Sequence, residues 1–229
     1  MEEPALQYIS SRWINSEGHE ISECAVYDPV QIEVQVENSL RKTTIANLME
    51  VSIYKDSAAL FADLVQKESF SLILSPLSTE TKRVNFTPSQ ESRYHYKIRI
   101  EKKEIYCQPK SVPPRLCASK KEICLTLDEP LGKVHADSTM HFTGKLFRPN
   151  PGEGVDGAKI HIYDERRTRK DNLLASGTTN KDGTFDIECR AKRTRLWQDT
   201  IYVYSKFIGD DLYKPSVSNR YTIRLTTQT

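Results

Sequence analysis

No stretch of this 229-residue sequence approaches the ~20 consecutive apolar residues that a bilayer-spanning helix needs, so a soluble chain is expected. The first residues, MEEPALQYIS, are acidic where a secretory signal is basic, and no apolar segment follows them. The chain as written is therefore expected to carry no export address, although one with its leader removed, or a piece of a longer protein, would read the same way. The spacings that mark common chemistry are also missing. There is no H-E-x-x-H for zinc, no G-x-S-x-G for an activated serine, no P-loop and no dinucleotide fingerprint, and the five histidines are scattered. Catalysis has no assembled candidate at this level, and the expectation is a non-enzymatic protein without a cofactor. Cysteine is sparse and odd in number. Cys24, Cys107, Cys117, Cys124 and Cys189 leave one thiol over however the others pair, which favours a reducing compartment or buried thiols over a disulfide framework. Three of them, Cys107, Cys117 and Cys124, lack the close C-x2-C knuckle that folds around zinc.

Charge of one sign is lacking as well. The chain has 33 basic and 31 acidic residues, mildly acidic in the first hundred residues and mildly basic afterwards, too weak a field to imply nucleic acid by itself. Two local basic stretches stand out. One is Arg166, Arg167, Arg169 and Lys170, diluted by Asp164, Glu165 and Asp171; the other is Arg190, Lys192, Arg193 and Arg195, beside Trp197. Cations next to an aromatic can grip phosphates and stack a base, whereas charge on loops and strand edges also keeps a sheet protein soluble.

What the sequence has in quantity is alternation. A period of two puts successive side chains on opposite faces of a sheet, the mark of half-buried strands. In VQIEVQVE, Val30, Ile32, Val34 and Val36 face one way and the polar residues the other. The pattern returns at Met49, Val51 and Ile53, at Val84 and Phe86, and at Tyr94, Tyr96, Ile98 and Ile100. It returns again at Met140 to Leu146, Ala158 to Ile162, Phe185 to Cys189, Ile201 to Phe207 and Tyr221 to Leu225. Residues 56–67 are ambiguous between a short strand and one helical turn. Between 101 and 124 the pattern breaks into charge and the prolines Pro109, Pro113 and Pro114, as in a semi-stiff linker. The expected architecture is all-β: two tandem immunoglobulin-like antiparallel sandwiches over 1–103 and 124–229, with a linker over 104–123.

SGTTNKDGTFDI, residues 176–187, looks like the first half of a calcium loop. Counted from Thr178, however, position 1 is a hydroxyl and position 12 is Cys189, so two of the strongest ligands are missing. Asn180, Asp182 and Gly183 supply turn chemistry instead, and the flanking strands are expected to pair as a hairpin around them. A looser cation site with Asp210 and Asp211 is the alternative. In the last strands, Tyr202 and Tyr204 alternate with Ile201 and Val203, which puts them on the outer face, exposed or covered by a neighbour. With Arg193, Arg195 and Trp197 they form the candidate binding set. Trp197 taken alone reads equally as a packing residue. Asn85-Phe86-Thr87 is a glycosylation sequon, relevant only to an exported chain.

These residues carry two resemblances. Gly157, Gly177, Gly183, Phe185, Phe207, Gly209, Tyr213, Pro215 and Ser216 give residues 124–226 a pattern that resembles bacterial and archaeal immunoglobulin-like surface modules, with macroglobulin-type domains as a competing relative. Val34, Val36, Asn38, Leu74, Pro76, Val84 and Phe86 resemble, with looser spacing, adhesion-related immunoglobulin-like domains. The resemblance implies a structural or adhesive unit at a cell surface or envelope, with another protein or a surface glycan as partner. The missing leader and odd thiol point instead to the cytoplasm, where an adaptor or a polyanion binder using the basic second domain is the alternative.

Overall fold

A computed structural model describes residues 6–57, 62–100, 103–105, 114–166, 170–191 and 200–226, with residues 103–105 followed as backbone alone. The chain divides into two compact units, Met1–Lys120 and Lys121–Thr229. The described residues of both are strands and turns throughout.

In the first unit β1 (Leu6–Ile14), β3 (Val30–Asn38) and β6 (Thr79–Phe86) form one antiparallel sheet in the order β1-β3-β6. The facing sheet runs β2 (Glu23–Ala25), β9 (Arg115–Ser119), β7 (Ser92–Ile100), β4 (Ile45–Lys55), β5 (Asp63–Leu74), with β8 (Lys103–Ile105) also paired to β7. The alternating residues of VQIEVQVE behave as their periodicity requires, with Val30, Ile32, Val34 and Val36 all buried. The centre is aromatic. Trp13 lies edge-on to Tyr96 at 5.3 Å and tilted against Phe86 at 5.8 Å, and Phe86 meets Tyr94 at 5.0 Å. A buried asparagine closes the far end. Asn38 Nδ2 donates to the carbonyls of Thr43, Leu74 and Ser75 at 2.8–3.1 Å, while its Oδ1 accepts from the Leu40 amide.

The second unit repeats this plan strand for strand. β10 (Cys124–Leu127), β12 (Thr139–Phe147) and β15 (Thr184–Arg190) form the smaller sheet. The larger runs β11 (Lys133–His135), β18 (Tyr221–Thr226), β16 (Thr200–Phe207), β13 (Lys159–Asp164), β14 (Asn172–Thr178), with β17 (Ser216–Val217) also on β16. Among the described strands each unit has one parallel pair, β2 with β9 and β11 with β18. Even the turn after the short strand recurs: Tyr27 (φ 64°) and Asp137 (φ 66°) both take the left-handed conformation. The next amide returns to the strand in each case, Asp28 N to the Ala25 carbonyl and Ser138 N to the His135 carbonyl. Side chains differ, but the backbone solution is the same.

Two expectations are corrected and one ambiguity is resolved. The proposed linker over 104–123 contains β9, whose Leu116 and Ala118 are buried between β2 and β7, so this segment completes the first sandwich. Its last residues enter the second unit, where Lys121 N donates to the Leu212 carbonyl and Ile123 joins the core. Five residues flanked by prolines and lysines are too short for alternation to show. Cys107, Pro109 and Pro113 lie outside the described residues. Secondly, the ambiguous stretch 56–67 is strand from Asp63 onward, where β5 starts; Asp56 and Ser57 follow the end of β4 at Lys55, and 58–61 lie outside the described residues. Thirdly, β14 and β15 are not a hairpin. β14 pairs with β13 and β15 with β12, so Thr179–Gly183 carries the chain from one sheet to the other.

That crossing is tightly built. Thr179 is buried; its hydroxyl donates to the Val155 carbonyl at 2.6 Å and accepts from the Ala158 amide at 2.9 Å. Asn180, Asp182 and Gly183 then make the bend. Gly183 N donates to the Asn180 carbonyl, and the Asp182 carboxylate accepts from the amide and hydroxyl of Thr184. Asp210, the alternative cation ligand, accepts from the amides of Leu212 and Tyr213 in a turn of its own. Among the described residues, no three His, Cys, Asp or Glu side chains are grouped so as to hold a metal ion.

Candidate functional site

Sheet pairing decides which exposed side chains can act together. In the second unit β13 is flanked by β14 and β16, and its outward residues His161 and Tyr163 stand opposite Lys206 and Tyr204. Tyr163 and Tyr204 stack at 5.5 Å with 21° between their planes. The Tyr204 hydroxyl donates to Asp171 Oδ2 at 2.6 Å, and the Arg220 guanidinium lies over the Tyr204 ring at 5.6 Å while its Nε donates to Glu165. Tyr202 is 42% exposed and Tyr204 7%, so of the two tyrosines placed outward by the sequence one is open and the other covered. Beside Tyr202 lies Thr222, its partner on β18, while the half-exposed Leu173 of β14 stands opposite Tyr163, at the far end of the Tyr204–Tyr163 row. The remaining candidates, Arg193, Arg195 and Trp197, lie outside the described residues.

The first unit carries a related cluster at the same point of its topology, unmarked in the sequence reading. β4 and β5 bulge between Ile53 and Tyr54 where β13 and β14 bulge between Ile162 and Tyr163. Tyr54 then stacks on its β7 partner His95 at 5.4 Å and 12°, as Tyr163 does on Tyr204. His95 Nδ1 is 2.8 Å from Asp56 Oδ1, and Lys97 Nζ sits 5.4 Å from the Tyr54 ring centre. The shared signal is Ile-Tyr before an acidic loop at the end of the third long strand. It becomes legible only once the strands are aligned.

Electrostatics fix the second cluster. The Tyr204 hydroxyl, the Arg166 amide and nearby Arg220 and Lys206 hold the Asp171 carboxyl below its ordinary range; burial and the same carboxylate push the Tyr204 phenol up. A depressed carboxyl contributes stability that is fully present above its unfolded value, about 3.9, and is lost as pH falls through the folded one. Tyr204→Phe removes the main cause of that depression. Denaturation at pH 7 is expected to show a loss of about 1 kcal/mol, because the pair is only partly screened from water. The gap between wild type and variant should then close below about pH 4; an unchanged gap at pH 3 counts against the linkage. Cys24 differs in kind: burial, with Asp28 and Cys117 nearby, pushes its thiol up to about 11, leaving little thiolate at neutral pH. The four described cysteines are free thiols.

Fold and site together define an all-β protein of two immunoglobulin-like sandwiches carrying ordered aromatic clusters on their larger sheets. No family model matches the chain, and no curated protein does. Solved structures similar to it include red sea bream transglutaminase, at 11% identity and TM-score 0.40 over 99% of this chain and 32% of that one. The fibronectin(III)-like modules of Clostridium thermocellum CbhA align at 10% identity and TM-score 0.36, over 97% of this chain and 94% of that one. Escherichia coli alpha-2-macroglobulin activated by porcine elastase aligns at 9% and 0.35, over 98% and 24%. The chain spans a third or less of the transglutaminase and macroglobulin chains.

Proposed function

We propose that this chain is a non-catalytic recognition unit at a cell surface or envelope, contacting another protein or a surface glycan through the outer face of β13, β16 and β18. The observation that carries the reading is Tyr202, an exposed aromatic beside a tyrosine pair already immobilised by Asp171 and Arg220. A rigid aromatic offers large contact area at little entropic cost, which is why such residues concentrate the energy of protein contacts. The resemblance of residues 124–226 to surface modules supports the location.

The test is binding of the purified chain to intact cells and envelope fractions of its source. Tyr202→Ala is expected to weaken capture at least tenfold, equivalent to about 1.4 kcal/mol, and Tyr202→Phe to retain most of it. Equal binding by wild type and Tyr202→Ala removes this face from the function. A second reading, an intracellular adaptor or polyanion binder, is favoured by the row Lys159, His161 and Lys206. Burial, with Lys159 and Lys206 beside it, holds the His161 imidazole below its ordinary pKa, so the positive charge of this row is carried by the two lysines. A capture that collapses between 50 and 200 mM salt would select that reading, because phosphate contacts are lost steeply with ionic strength.

A further inference from the structure

The two units share a topology, so each serves as a measure of the other. Where the chain crosses from the larger sheet to the smaller, the second unit has the polar bend Asn180-Lys181-Asp182-Gly183, and the first has Ser75-Pro76-Leu77-Ser78. Leu77 is 66% exposed and takes φ 54°, in a turn that Ser78 N closes onto the Ser75 carbonyl at 3.2 Å. Glycine or asparagine usually fills such a position, because a bulky L-residue there is strained. An apolar side chain is thus held out into water on a backbone that does not suit it.

Two further features meet at this end. β4 and β5 run on past the last β4–β7 pair, Met49 with Ile100, as a two-stranded extension in which Ile45–Leu48 pairs with Ser71–Leu74. One side buries Leu72 and Leu74; the other carries Leu48 and Ile73, 55% and 72% exposed and diagonal neighbours across the pair. The second feature is the loop after β3, which bears the exposed Arg41 and Lys42. It is laced to the turn: Leu77 N donates to the Leu40 carbonyl, and the buried Asn38 amide spans the carbonyls of Thr43, Leu74 and Ser75. Of the acids on the adjoining strands, Glu50 is shared by Lys67 and Arg99, Glu80 pairs with Lys82, and Glu37 precedes Asn38 on β3.

We propose that this end of the first unit docks on a bilayer containing anionic lipid, inserting Leu77 and Ile73 into the interfacial layer with Leu48 behind them and Arg41 and Lys42 on the headgroups. Apolar surface gains by leaving water, and basic residues beside it are drawn to a negatively charged leaflet. The Asn38 clamp holds the loops in place beforehand, so little ordering is left to be done on contact. A two-fold contact between copies would instead bring Arg41 and Lys42 against their own kind. The inference rests on the surface location proposed above and not on the Tyr202 face.

Cosedimentation of the full chain with sucrose-loaded vesicles tests it. Binding is expected on phosphatidylcholine vesicles containing phosphatidylglycerol, and binding about tenfold weaker on phosphatidylcholine alone. Leu77→Gly, which removes the side chain and suits the turn, is expected to keep or raise the thermal midpoint while weakening vesicle binding about tenfold. Arg41→Gln combined with Lys42→Gln is expected to weaken binding to the anionic vesicles by about the same factor. Leu131→Ser, at a side chain 78% exposed in the second unit, and Tyr202→Ala are expected to leave vesicle binding unchanged, so that failure here and failure of the recognition face are told apart. A wild type that ignores anionic vesicles or binds both kinds equally, undiminished binding by Leu77→Gly, or an equal loss with Leu131→Ser or Tyr202→Ala each overturns the proposal.

Discussion

Replacing Trp13 by alanine is expected to cost about 3–5 kcal/mol, the range for truncating a large buried aromatic. Trp13 is 1% exposed and closes a chain of ring contacts through Tyr96, Phe86 and Tyr94 that joins strands of both sheets. Its indole N–H donates to the Pro114 carbonyl at 3.1 Å, fixing the chain just before β9. Truncation therefore opens a cavity and leaves that carbonyl without its indole donor. Against a typical domain stability of about 5–15 kcal/mol, the first unit should unfold at markedly lower denaturant, its thermal midpoint down by roughly 15 °C. Trp13→Phe separates the two contributions: it keeps most of the ring contact and loses the hydrogen bond, so about 1–2 kcal/mol is expected. The measurement is chemical denaturation followed by far-ultraviolet circular dichroism. A loss below 1 kcal/mol for the alanine variant would mean that the aromatic centre does not hold the two sheets together.

In the second unit the largest effect is expected at Gly183→Ala. Gly183 has φ +81°, a conformation that costs an L-residue about 1 kcal/mol or more. A methyl group there would also run into the carbonyl oxygen of Leu146 and lie 2.6 Å from the Cα of Gly154 and 2.8 Å from the Val155 amide nitrogen. These are backbone atoms, which no rotamer change can move aside. Gly154 meets the same crossing from the other side, where an added Cβ would run into the Asp182 carbonyl. The two glycines let backbone pack against backbone where the chain leaves β14 for β15. Strain and overpacking together are expected to cost about 3 kcal/mol or more. The exposed neighbour Lys181→Ala should change stability by less than about 0.5 kcal/mol. Equal melting curves for the two variants would show that the crossing is looser than drawn.

The bend at Gly183 between β14 and β15 was only half legible in the sequence. Turn residues at 180–183 were legible because glycine and asparagine tolerate the required backbone angles. Whether the flanking strands pair with one another was not, because the same bend serves a hairpin and a sheet-to-sheet crossing. The choice rests on Thr179 reaching Val155 and Ala158, residues more than twenty positions away. Tyr202 and Tyr204 divide in the same way. Alternation put both on the outer face, yet Tyr204 is covered because Tyr163, Asp171 and Arg220 converge on it from other parts of the chain. β9 was not legible because five residues among prolines and charges show no sustained period. β5 showed too weak a pattern, since its first half turns Gln66 and Glu68 to the side where its second half buries Leu72 and Leu74.

By itself the sequence determined the all-β class and the inward set of most strands, because side-chain alternation is a local property of extended backbone. It also determined where the chain can bend, since that depends on single residues. Only the tertiary structure decided that both units follow one topology, that the Tyr54–His95 and Tyr163–Tyr204 stacks occupy matching places, and that β5 has a long edge facing no described strand. Those facts depend on which distant strands hydrogen-bond, and pairing is set by long-range packing of one sheet on another.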